Sequence, residues 1–257
     1  MNAAATRPPA SAWPPHGPTP IRAILFDKDG TLFDFRRTWL AAYRGAAAEL
    51  AELAGLRPWF VDALLARHGY DPAGGTFTAE SPLLWATTHD LAALWSAEPE
   101  LAAIGDVERR LERRFSDLDA YPPVPLTDLV GLFERLRARG LKLGIATMDG
   151  TAATEATLVR VVARELVDFL ACCDGGRGIK PNPGMVLGFC AAVGVAPREV
   201  AVVGDHLADL AMARAAGAGL AIAVLTGGCP AAALETEADL VLRSVAELES
   251  ALAGRII

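Results

Sequence analysis

Ile21-Arg22-Ala23-Ile24-Leu25-Phe26-Asp27-Lys28-Asp29-Gly30-Thr31-Leu32 is the stretch that decides the fold. Its first six residues are mostly apolar, with two isoleucines and a phenylalanine, the pattern of a strand covered on both faces. The run stops at two carboxylates, Asp27 and Asp29, spaced i, i+2. A glycine that permits tight chain reversal and a threonine follow. One aspartate at a strand end reads as a solvated turn. Two carboxylates, a glycine and a threonine together are harder to explain as surface filler. In an open α/β sheet, ligands bind beyond the carboxyl ends of the strands, where Asp27 and Asp29 would sit.

Upstream, residues 1–20 carry six prolines and no apolar periodicity, which predicts a disordered or extended tail without chemistry. Trp13 and His16 within it read as incidental. Downstream, from about Phe35 to Tyr121, alanine and leucine dominate and helical spacing replaces strand-like runs. Trp39, Ala42, Tyr43, Ala46 and Leu50 share one face of a helix over 36–54, closed by Gly55. Pro58 opens a second helix that stops at Gly69, and 71–80 is a turn-rich loop. Ser81-Pro82 suits the N-cap and first position of a third helix running to Trp95. A fourth is expected from Pro99 to Phe115, its charges alternating in sign as on a solvated face. Residues 35–123 therefore read as an all-helical insert, left through the stiff Tyr121-Pro-Pro-Val-Pro125. Trp39, Trp59, Trp85 and Trp95 fall at spacings that suit its packing core.

Beyond the insert the rhythm becomes α/β. Helices are expected over 127–139, 151–165, 183–193, 207–216, 230–237 and 245–253, and strands over 141–146, 167–173, 199–203, 220–225 and 239–242. This alternation predicts a doubly wound parallel sheet. The core domain is discontinuous, 21–34 plus 124–257.

Four clusters fall where strands end: Asp27 and Asp29; Thr147; Lys180 in Gly178-Ile179-Lys180-Pro181; and Asp205 and Asp209 in Gly204-Asp205-His206-Leu207-Ala208-Asp209. In order and spacing they resemble the four motifs of the haloacid dehalogenase superfamily of phosphohydrolases, and the insert's position resembles members with a helical C1-type cap, such as the phosphoglycolate phosphatase-like proteins. Four aspartates in one cleft would repel and raise each other's pKa without a cation, and a hard ion such as Mg²⁺ answers that. The resemblance implies a phosphatase that passes through an aspartyl-phosphate. In it Asp27 is the nucleophile and Asp29 the acid and base, while Thr147 and Lys180 bind the phosphate. The implied metal ligands are the Asp27 carboxylate, the Asp29 backbone carbonyl and Asp205, with Asp209 a ligand or just behind one. Met148-Asp149 departs from the small polar residue, often asparagine, that follows the second-motif threonine in the family. His206 reads as exposed or supporting, not catalytic.

Other classes stay open to different degrees. A sugar-phosphate mutase of the β-phosphoglucomutase kind keeps both first-motif aspartates. Dehalogenases and phosphonate hydrolases lack the second, so Asp29 argues against them, and a non-enzymatic scaffold is disfavoured because no motif residue is missing. In the cap Arg36, Arg37, Arg44, Arg67, His68, His89 and the loop Gly74–Ser81 are substrate-contact candidates, although a surface charge or helix end is the plainer reading of each. A net charge of −7 with no basic block argues against nucleic acid or a membrane surface as partner, and the resemblance implies a small phosphate ester instead. The four cysteines lack metal-ligand spacing and read as reduced packing residues. No charged-then-apolar leader and no apolar run of about 18 residues is visible, so a cytoplasmic setting is expected.

Overall fold

The structure is a computed structural model that describes residues 19–78 and 80–255. Most of the expected N-terminal tail lies outside these residues. Strand β1 (Ala23–Phe26) is buried along its whole length. Ala23 and Leu25 enter one apolar cluster and Ile24 and Phe26 the other, as the two-residue period of a strand requires.

The chain then leaves the sheet for the insert. It comprises α1 (Phe35–Leu53), α2 (Trp59–Arg67), a hairpin of β2 (Tyr70–Asp71) and β3 (Thr76–Phe77), α3 (Thr88–Ser96) and α4 (Val107–Phe115). A separate apolar cluster built wholly from 35–115, with Leu50, Leu64 and Trp95 fully buried, holds it together. At ~1.5–3 kcal/mol per fully buried large side chain, that cluster is a core in its own right.

The remaining elements are α5 (Leu129–Ala138), β4 (Lys142–Ala146), α6 (Thr151–Arg160), β5 (Phe169–Ala171), α7 (Gly184–Val193), β6 (Val200–Gly204), α8 (Leu207–Ala216), β7 (Leu220–Val224), α9 (Ala231–Glu237), β8 (Leu240–Leu242) and α10 (Leu248–Ala251). The six long-range strands form one parallel sheet in the order β5-β4-β1-β6-β7-β8. Helices α5, α6 and α10 pack on one face and α7, α8 and α9 on the other. The sheet is therefore doubly wound. Successive strands run outward from β1 to β4 and β5, then return to β6 on its other side. Such a reversal leaves a crevice at the carboxyl ends of the central strands, which is where α/β sheets bind ligands.

Several expectations for the insert need correction. It is not purely helical, because the loop 71–80 contains the β2–β3 hairpin. Gly75 takes its left-handed turn position (φ +64°), and the Asp71 side chain accepts the Ala73 N–H. The expected third helix is broken. Pro82–Leu84 forms only a 3₁₀ turn, and α3 starts afresh behind Thr87, whose hydroxyl accepts the Asp90 N–H while Asp90 accepts the Thr87 N–H. That reciprocal cap is a stronger start signal than Ser81-Pro82. The fourth helix begins only at Val107, because Gly105 and a left-handed Asp106 (φ 57°) stop it from forming earlier. Its arginines are not merely solvated, since Arg110, Arg113 and Arg114 all converge on Glu49 of α1.

Of the tryptophans, Trp95 is fully buried and Trp39 partly so. Trp59 and Trp85 are 64% and 45% exposed and lie outside the core. In the sheet domain, α6 ends at Arg160 ahead of a left-handed Val162, and the last helix is a 3₁₀ turn (Val245–Glu247) running into the short α10. All four cysteines are free thiols. Among the described residues no helix is long and apolar enough to cross a membrane.

Candidate active site

The carboxyl ends of β1, β4 and β6 deliver Asp27, Thr147 and Asp205 to one crevice, and the loop before α7 brings Lys180. Asp27, Lys180, Asp205 and Asp209 are all buried. Carboxylate oxygens of Asp27, Asp205 and Asp209 lie within 4.8 Å of one another. Lys180 Nζ is 2.5 Å from Asp27 Oδ1 and 2.7 Å from Asp209 Oδ1. Burial opposes the charge on Lys180, yet Asp209 and Asp27 outweigh it and hold the ammonium above its ordinary range. Burial and the charges of Asp27 and Asp209 push the Asp205 carboxyl well up. Burial also raises Asp27, against the pull of Lys180.

Three carboxylates facing one lysine are under-compensated, and Asp27 Oδ2 is buried without a hydrogen-bond partner. A hard divalent cation with oxygen ligands fits that arrangement. The backbone shape of the site is equally demanding. Gly30 has φ +87°, and a Cβ there would come 2.5 Å from Asp205 Oδ2. Gly227 passes so close that a Cβ would overlap the same oxygen. Thr31 Oγ1 donates to Asp205 Oδ1 (3.3 Å), and Thr226 Oγ1 donates to the Gly30 carbonyl (2.6 Å), tying the loop after β7 to the first motif.

Asp209 stands in the first turn of α8, where it accepts the His206 N–H (3.1 Å) as well as pairing with Lys180. One side chain thus starts the helix and fixes the lysine. His206 caps α8, its Nδ1 accepting the Ala208 N–H. Thr147 Oγ1 accepts the Asp149 N–H (3.1 Å), which leaves its hydroxyl proton free to donate. It lies just ahead of the N-terminus of α6, a setting that favours an anion.

Asp29 lines the same crevice, but its carboxylate stands apart from the trio. Asp29 Oδ2 pairs with Lys28 Nζ at 2.7 Å, and Oδ1 is buried without a hydrogen-bond partner. Lys28 is a site residue that sequence alone does not mark out. Its Nζ is buried between Asp29 and Asp149 (3.1 Å), about 6 Å from the centres of the Phe33 and Trp39 rings. The two carboxylates overcome burial and hold Lys28 above its ordinary range, while burial pushes Asp149 up. The available signal was the pairing of two oddities: a lysine inside a carboxylate motif, and an aspartate after Thr147-Met148.

The cap candidates do not reach this crevice. Arg44 pairs with Asp62, Arg67 with Glu98 and Glu100, His68 with Glu98, and His89 with Glu108. Neither Arg36 nor Arg37 lines it.

A parallel α/β sheet with three buried carboxylates and one lysine at its reversal point can hold a cation and, beside it, an anionic group. A family model described as haloacid dehalogenase-like hydrolase matches residues 21–217, and the chain belongs to that family. It is 31% identical over 228 residues to a phosphoglycolate phosphatase of Chromobacterium violaceum, covering 89% of this chain and 95% of the relative. It is 23% identical over 197 residues to an N-acetylmuramic acid 6-phosphate phosphatase of Pseudomonas aeruginosa, covering 77% and 79%. Among solved structures, a HAD phosphatase from Thermococcus onnurineus superposes with a TM-score of 0.65 at 23% identity, covering 92% of this chain and all of that one, which speaks to the fold alone.

Proposed function

We propose that this protein hydrolyses a small phosphomonoester with Mg²⁺, through a phosphoryl-Asp27 intermediate. The observation that carries the reading is Lys180 bridging Asp27 and Asp209, with Asp205 completing a buried trio of carboxylates. Lys180 and the Thr147 hydroxyl would hold the phosphoryl oxygens beside Asp27. An Asp27 oxygen attacks phosphorus, the ester P–O bond breaks, and the leaving alkoxide takes a proton from Asp29. Asp29 then accepts a proton from the water that attacks the phosphoryl-aspartate, which releases phosphate and restores Asp27. Lys28 and Asp149 hold Asp29 in place for both transfers. The ion would be held by Asp27, Asp205 and the Asp29 backbone carbonyl, with Asp209 behind them. When bound, it supplies charge neutralisation at the phosphoryl group.

The named activities of the relatives support a small phosphate ester as substrate. Turnover of p-nitrophenyl phosphate with Mg²⁺, with excess EDTA and with Ca²⁺ tests the reading. Activity is expected with Mg²⁺ alone, because the larger and looser sphere of Ca²⁺ misplaces the nucleophile. Full activity in EDTA would point to metal-free chemistry at Asp27 instead.

A further inference from the structure

The insert's side of the crevice includes Phe35, Trp39, Tyr43, Leu84, Trp85 and Phe115. Its polar groups are the hydroxyls of Tyr43, Thr87 and Thr88 and the indole N–H groups of Trp39 and Trp85, that of Trp39 buried without a hydrogen-bond partner. The Tyr43 hydroxyl is engaged, donating to the Leu83 carbonyl (2.8 Å), which pins the turn bearing Leu84 and Trp85 over the crevice. Trp85 is 45% exposed although it lines a cleft, so it offers an aromatic face without a partner in the core. Among the described residues, the lysine or arginine that lines the crevice is Lys180 alone, and it is taken up by Asp27 and Asp209. Five carboxylates line the crevice: Asp27, Asp205 and Asp209 around Lys180, and Asp29 and Asp149, which are paired with Lys28 behind the lining. His206 accepts the Ala208 N–H at Nδ1, so its ring proton sits on Nε2 as a donor, and Arg36 lines a neighbouring crevice that shares only Phe35 and Leu84 with this one.

We propose that the leaving alcohol of the substrate is uncharged and presents an apolar face to Trp39, Trp85 and Phe115. An ester carrying a carboxylate, as phosphoglycolate does, is then a poor substrate of this chain. This rests on the phosphomonoesterase reading and goes beyond it. A second anion would find the cleft's cations already taken, Lys180 by Asp27 and Asp209 and Lys28 by Asp29 and Asp149, with no cation on the insert's wall to receive it, whereas the same wall excludes water from an apolar group and stacks on a flat one.

The test is a kcat/KM series at saturating Mg²⁺ with methyl, propyl and benzyl phosphate and phosphoglycolate. Benzyl phosphate is expected to rank first, and phosphoglycolate at least ~10-fold below propyl phosphate, its neighbour in size. Trp85→Ala is expected to lower benzyl phosphate turnover at least ~10-fold more than methyl phosphate turnover. Thr88→Arg is expected to raise phosphoglycolate relative to propyl phosphate by supplying the missing cation. Phosphoglycolate turned over by the wild-type protein as well as propyl phosphate would overturn the inference and leave the phosphatase reading standing. No turnover of any ester, p-nitrophenyl phosphate included, would overturn both.

Discussion

Lys28 shows how much of this site depends on one side chain whose partners come from two strand ends. Its ammonium is buried between Asp29 and Asp149, and it neutralises two carboxylates that have little water to turn to. Lys28→Met removes the cation and leaves both acids buried, a loss of about 3–5 kcal/mol. The expected outcome is a lower thermal midpoint, by roughly 6–20 °C for a chain of this size, read by calorimetry on the metal-free protein. A midpoint within a degree of wild type would show that the pair is not held as described. Asp27, Asp29, Thr147 and Asp205 were legible in the sequence because they stand where an apolar run meets a turn, and Lys180 and Asp209 only through the motif resemblance, since one lies in a loop well past β5 and the other inside α8. Lys28 and Asp149 were not, because a lysine beside an acid is ordinary on any surface. Only the approach of β4 to β1 makes the pair buried.

At the scale of elements, the strands of the sheet were readable because each is a short apolar run covered on both faces. The insert was less so. Its helix starts are decided by local caps that compete with one another, and its two-residue strands carry too little pattern to register. The break between Leu84 and Thr88 matters most, since it turns Trp85 toward the crevice instead of into a helix. Thr87 sets that break through its reciprocal cap with Asp90. Thr87→Ala is expected to cost about 1 kcal/mol and to lower the thermal midpoint by about 2–4 °C. It is also expected to raise KM for bulky esters more than for methyl phosphate, because the wall they rest on loosens. Equal changes in KM across the series would mean that the cap serves stability alone.

For the whole molecule, the fold is what assembles the carboxylate trio, because Asp27 comes from the first strand and Asp205 and Asp209 from beyond the insert and three further strands. The unfolded chain has no such cluster, so on the proposed function Mg²⁺ binds the native state in preference. At a concentration near 100 times its Kd the ion is expected to add about 2.7 kcal/mol, roughly 5–11 °C in thermal midpoint, and Asp205→Asn is expected to abolish most of that gain. An equal Mg²⁺ shift in the variant would place the ion elsewhere. The central claim, that Asp27 carries the phosphoryl group, is tested most directly by acid quench of a single turnover with ³²P-labelled ester, followed by peptide mapping. The account predicts label on the peptide containing Asp27, released by hydroxylamine as an acyl phosphate is, and no label with Asp27→Asn, whose turnover falls at least ~10³-fold. Turnover with no labelled protein at any quench time, or label on another residue, would contradict it.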